Sequence, residues 1–97
     1  MQKKSQQPRN VRLVKVDKTH KKVEIAWRGP ASAEPIKSYQ IFRNAVKVGE
    51  TTNNRFVDKK AKAGSSNYKV MAVYESGEMV PAQKIINVKM PAERPSF

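Results

Sequence analysis

Apolar and polar residues alternate along most of this chain. Lys22-Val23-Glu24-Ile25-Ala26-Trp27-Arg28 turns Val23, Ile25 and Trp27 to one face and charge to the other, the period of a half-buried strand. Gly29-Pro30 ends that run, because proline has no N–H to give a ladder. Upstream, Val11, Leu13 and Val16 are the expected inward residues of a first strand, and their spacing of two then three predicts a bulge. Asp17-Lys18-Thr19-His20 is a polar turn between the two.

Beyond the loop Ala31-Ser32-Ala33-Glu34-Pro35, the stretch Ile36–Arg43 puts Tyr39 and Ile41 on one face and Gln40 and Phe42 on the other. Asn44-Ala45 stands where a two-residue hairpin turn belongs, before Val46–Gly49. Alanine resists the positive φ of such a turn, so a longer or strained connection is expected. Arg55–Val57 is a short strand, Asn67–Tyr74 alternates with Tyr68, Val70 and Ala72 on one face, and Lys84–Met90 alternates with Ile86, Val88 and Met90 inward. About seven short strands with polar turns and no helical stripe predict an all-β sandwich or barrel.

With 97 residues there is room for one domain and a thin core. Residues 1–7 and 92–97 read as polar tails around a body spanning 8–91. No segment approaches the ~20 apolar residues of a membrane span. Lys3 and Lys4 resemble the charged start of a signal peptide, but no apolar stretch follows them, so the compartment stays open between cytoplasm and exterior.

In order and spacing, these residues resemble a fibronectin type III domain over roughly 8–90. Pro8 precedes the first strand, Trp27 closes the second, and Pro35-Ile36-Lys37-Ser38-Tyr39 opens the third. The hairpin from Tyr39 to Gly49 looks like the form common in bacterial members, and Asn67–Val73 looks like the tyrosine-corner strand. Ala61, Ala63 and Gly64 stand where the family usually has leucine and proline-glycine, and Ala45 where it often has glycine. The resemblance implies a seven-stranded antiparallel immunoglobulin-like sandwich, with sheets A-B-E and C′-C-F-G. It implies core roles for Trp27, Tyr39 and Tyr68, the Tyr68 hydroxyl bonding backbone at the E–F corner. It further implies a non-catalytic binding or spacer module, typically of an extracellular or cell-envelope (periplasmic) protein.

Little in the chain promises chemistry. Cysteine is absent, which removes disulfides, thiolate metal sites and thiol nucleophiles. The single histidine, His20, lies in a turn between lysines, and a dedicated metal site needs more ligands. Glu75 and Glu78 around Gly77 supply two carboxylates, too few for a calcium loop. No cofactor is expected.

Charge changes the picture more. Twenty Lys and Arg against eight acids give a formal net charge of +12, a field that attracts anionic partners. Two surfaces are then candidates. On the outer C-F-G face, Phe42, Met71, Val73 and Ile85 would form an apolar stripe with Lys47 and Lys69 at its rim, suited to a protein partner, acidic ones included. The plainer expectation is that lysine stems lie over the stripe. On the outer A-B-E face, Arg12, Lys15, Lys22, Arg28 and Arg55 would project, suited to a polyanion such as an acidic glycan, a wall polymer or nucleic acid. That face lacks the aromatics on which bases stack, so a solvated basic surface is its plainer reading.

Overall fold

The computed structural model describes residues 6–31 and 34–91. Residues 1–5 and 92–97 of the expected tails and Ser32-Ala33 of the expected loop lie outside the described residues. The strands are β1 (Arg9–Asp17), β2 (Lys22–Arg28), β3 (Ile36–Arg43), β4 (Val46–Thr51), β5 (Arg55–Asp58), β6 (Gly64–Tyr74), β7 (Met79–Pro81) and β8 (Ile86–Met90). They form two antiparallel sheets, β1-β2-β5 and β4-β3-β6 with β7 and β8 both on the far edge of β6. This is the expected A-B-E and C′-C-F-G arrangement with eight strands in place of seven.

The extra strand comes from an interruption of the last one. From Met71↔Pro81 to Tyr68↔Ile86, β6 advances three residues while the edge strand advances five, so two residues are looped out. The Ala82 amide still donates to the Val70 carbonyl at 2.8 Å, and Ala82 is buried beneath the loop. The first strand is broken as the uneven apolar spacing predicts. One residue is extra between Arg9 and Arg12 and another between Leu13 and Lys15. Leu13, expected inward, is opposite Ile25 yet 41% exposed, where the second irregularity of β1 begins on a strand that is the edge of its sheet among the described residues.

Inward residues of both sheets meet in one core. Val11, Val23, Ile25 and Trp27 come from the first sheet, and Tyr39, Ile41, Tyr68, Val70, Ala72, Tyr74, Ile86, Val88 and Met90 from the second. Trp27 and Tyr39 pack edge to face with centroids 5.4 Å apart. Truncating a buried aromatic such as Trp27 to alanine costs about 3–5 kcal/mol, so this pair anchors the sandwich.

The edges between the sheets are closed by specific groups. At one edge, a Cβ on Gly49 would stand 2.2 Å from Phe56 Cε1, so glycine on β4 is what lets the Phe56 ring cross from β5. Nearby, Asp58 is 5% exposed and accepts hydrogen bonds from the Tyr68 hydroxyl at 2.5 Å, the Lys60 amide at 3.0 Å and the Arg43 guanidinium. Tyr68 therefore bonds a carboxylate at the end of β5, not backbone as the resemblance implied. A carboxylate takes two donors at once and neutralises Arg43, whose side chain is only 12% exposed. At the other end, the Tyr74 hydroxyl is hydrogen-bonded to the backbone of Gln6, which ties the start of the described chain to β6.

Candidate functional site

The outer face of the β3-β6 pair carries the first candidate. Alternation puts Gln40 and Phe42 of β3, and Asn67, Lys69, Met71 and Val73 of β6, outward. Register places Phe42 opposite Lys69 and Gln40 opposite Met71. The interruption before β8 carries Ile85 over the same face, 53% exposed. Together Phe42, Asn44, Ala45, Asn67, Lys69, Met71 and Ile85 line a hollow of about 450 Å³. Four of the six residues named from sequence therefore come together here. Lys47 does not line the hollow: it is opposite Phe42 on β4, and its ammonium is held by Glu50 at 2.9 Å.

Val73 differs from expectation. It is 9% exposed, with Met79 opposite it in register and Met71 two residues away on the same face. The exposed stripe is thus shorter than alternation alone implies, since burial on an outer face depends on what flanks a residue. Sequence reasoning missed Asn44, Ala45 and Asn67. The Asn44 amide donates to the Asn67 carbonyl and the Asn67 amide to Asn44 Oδ1, both at 2.9 Å, and Asn87 Nδ2 donates to Asn67 Oδ1 at 2.7 Å. These bonds stiffen one end of the hollow. The signal was present in the asparagines, but only the pairing of a turn with a distant strand reveals it.

Arg12, Lys15, Lys22, Arg28 and Arg55 are all exposed on the outer face of β1-β2-β5. Arg12 and Arg55 flank Ala26, which is 2% exposed although it faces outward, as happens when arginine stems lie across a small residue. Arg55 is paired with Glu24 at 3.1 Å. Trp27, Tyr39 and Tyr68 are buried in the core and reach neither face.

His20 hydrogen-bonds Asp17 Oδ2 at 2.9 Å, and that bond, with the His20 and Thr19 amides, holds the Asp17 carboxyl below its ordinary value. Glu50 is likewise lowered, first by Lys47 and then by the Ser38 hydroxyl. Among the described residues no cluster of three or more metal-ligating side chains occurs. The arrangement offers surfaces, charge and an apolar hollow.

Neither a protein-family model nor a curated protein sequence matches the chain. Solved structures do. A fourth human FNIII domain determined in solution is 15% identical with TM-score 0.78, over 97% of this chain and 86% of that one. The fibronectin(III)-like modules of Clostridium thermocellum CbhA are 14% identical with TM-score 0.68, over 88% of this chain and 100% of theirs. The twitchin kinase region of C. elegans is 15% identical with TM-score 0.79 over 95% of this chain. This chain spans only 18% of that region and 20% of a Yersinia enterocolitica family 28 exopolygalacturonase that it also resembles, at 18% identity and TM-score 0.71. From strand order and these likenesses together, the chain has the fibronectin type III fold.

Proposed function

We propose that the chain is a non-catalytic binding module of a larger extracellular or envelope protein or assembly, which docks an acidic protein segment on the outer β3-β6 face. The observation that carries this is the hollow lined by Phe42, Met71 and Ile85, with Lys69 among its walls. An apolar anchor residue fits the hollow, and acidic neighbours suit Lys69 and a chain of net charge +12. A modular role is supported by likeness to structures in which such a unit covers a fifth or less of the chain. The polyanion reading rests on the opposite face and its exposed arginines and lysines.

The test is a pull-down from the native source with the wild-type chain and Phe42→Ser/Met71→Ser, at ~50 and ~500 mM salt. A protein retained at the higher salt and lost with the double variant is expected. Retention by the variant, or loss to salt alone, overturns the assignment of this face.

A further inference from the structure

The hollow on the outer β3-β6 face is apolar in its floor and one-sided in its polar groups. Its three polar side chains are Asn44, Asn67 and Lys69. The hydrogen bonds around it fix which way the amides point. The Asn67 N–H needs an acceptor, so Asn44 presents Oδ1 to it at 2.9 Å and its Nδ2 group is left over. Asn67 Oδ1 accepts from Asn87 Nδ2 at 2.7 Å, and Asn87 Nδ2 also donates to Ser65 Oγ at 3.0 Å. Asn67 therefore keeps its own Nδ2 group as well. Lys69 forms no ion pair among the described residues, whereas Lys47 is held by Glu50. All three polar side chains thus offer donors, and no carboxylate lines the hollow. A ligand seated here must bring acceptors, and on a chain of net charge +12 a carboxylate matches best.

Register narrows the ligand further. Phe42 is opposite Lys69 and Arg43 opposite Tyr68, so Asn44 falls opposite Asn67 and diagonal to Lys69. Ile86 is opposite Tyr68, which brings Ile85 beside Lys69 on the other side from Phe42. Donors and apolar walls are therefore direct or diagonal cross-strand neighbours, within roughly 7–8 Å of one another. The carboxylate and the apolar group of a ligand must be just as close. In an extended segment adjacent side chains point to opposite faces, so an acidic side chain on the same face is two residues, roughly 7 Å, from an apolar one. A C-terminal residue carries both groups on one Cα. The bonds among Asn44, Asn67 and Asn87 also wall the end of the hollow beyond Lys69, where a continuing chain would have to pass.

We propose that the hollow captures the C-terminal residue of the acidic partner, its side chain between Phe42, Met71 and Ile85 and its carboxylate on Lys69 Nζ and Asn44 Nδ2. This rests on the docking proposed for the same face and adds to it which part of the partner docks. Capture of a chain end by a set of fixed donors is a recurring mode of peptide recognition.

The experiment is an NMR titration of the whole chain, following backbone and asparagine side-chain amides, with acidic pentapeptides ending in leucine, isoleucine, valine or phenylalanine. Each is added with a free C-terminal carboxylate, as its C-terminal amide, and with the apolar residue moved to the centre at unchanged net charge. Saturable shifts at the Asn44 side-chain amide and at Lys69 are expected with the free acids, and about tenfold weaker binding of the amides and the central forms. Lys69→Met keeps an unbranched stem and removes the charge. Asn44→Asp keeps an acceptor for the Asn67 N–H and a residue that tolerates φ 52°, and removes the donor. Each variant should weaken the free acids about tenfold and leave the amides unchanged. Equal binding of acid and amide, or of the central form, overturns capture of a chain end and leaves docking of an internal acidic segment standing. No shift at Asn44 and Lys69 with any peptide overturns it too, and the docking itself is then decided by the pull-down with Phe42→Ser/Met71→Ser.

Discussion

At the turn between β3 and β4, Asn44 has φ 52° and Ala45 φ 70°. Arg43 pairs directly with Val46, so the loop is the short two-residue kind and the alanine carries the strain. A non-glycine residue in the left-handed region costs roughly 1–2 kcal/mol, part of which glycine gives back as unfolded-chain entropy. Ala45→Gly is therefore expected to raise stability by about 0.5–1 kcal/mol, read as a higher urea midpoint at unchanged slope. A lower midpoint would mean that the turn is held by the Asn44–Asn67 bonds in a way that needs the methyl group. Asp58 is the second such position. Burial opposes its ionisation, but hydrogen bonds from Tyr68, the Lys60 amide and Arg43 outweigh burial and hold its carboxyl below the ordinary 3.8. A carboxyl lowered in the fold stabilises above its unfolded value, and that contribution is lost as pH falls through the folded value. Asp58→Ala leaves Arg43 uncompensated and is expected to cost about 3–5 kcal/mol at neutral pH. Denaturation at a series of pH values should show the variant and wild type converging below the ordinary carboxylate value, and parallel curves would refute the assignment. Burial first, and then the Asp58 carboxylate that its hydroxyl bonds, push Tyr68 far above its ordinary 10.0 against the opposing charge of Arg43, so stability also falls as pH rises past that value.

Edges decide more than strand interiors at the level of elements. Gly49 on β4 and Phe56 on β5 close one side of the sandwich, and a Cβ at Gly49 would stand 2.2 Å from the ring. Gly49→Ala is expected to cost about 1–3 kcal/mol by overpacking. In the Phe56→Leu background the added penalty should shrink, because the smaller side chain leaves room. A double-mutant cycle with no coupling would place the cost in the β4 backbone instead. The β7–β8 interruption has a comparable logic. Two looped-out residues keep Ile86, Val88 and Met90 in phase with the core while carrying Ile85 over the outer face. The bulges of β1 likewise keep Val11 and Val16 against the core and Arg9, Arg12 and Lys15 on the outer face.

For the whole molecule, charge sets the condition under which the fold is most secure. Net charge of +12 on 97 residues destabilises a compact state by self-repulsion, while the exposed pairs Lys47–Glu50 and Arg55–Glu24 each add little. Screening should relieve more repulsion than attraction, so the melting temperature is expected to rise between ~20 and ~300 mM NaCl. A fall on adding salt would show that the local pairs outweigh the global field.

The alternation through Val23, Ile25 and Trp27, through Tyr39 and Ile41, and through Tyr68, Val70 and Ala72 was enough to determine an all-β chain and the faces of its central strands. A central strand has neighbours on both sides, so period two translates directly into inside and outside. The proline and glycine breaks settled where those strands stop, since backbone hydrogen bonding there is a local matter. Edges and outer faces were decided by tertiary structure. Leu13 is exposed at an irregularity of the edge strand β1, Val73 is 9% exposed where β7 pairs with β6, and Tyr68 finds a carboxylate because β5 ends beside it. Each of these depends on how strands and their ends are set beside one another, which alternation along a single strand does not encode. The same holds for both candidate surfaces: residue types announced an apolar stripe and a basic face, and only register placed Asn67 beside Asn44 and Lys15 beside Glu24.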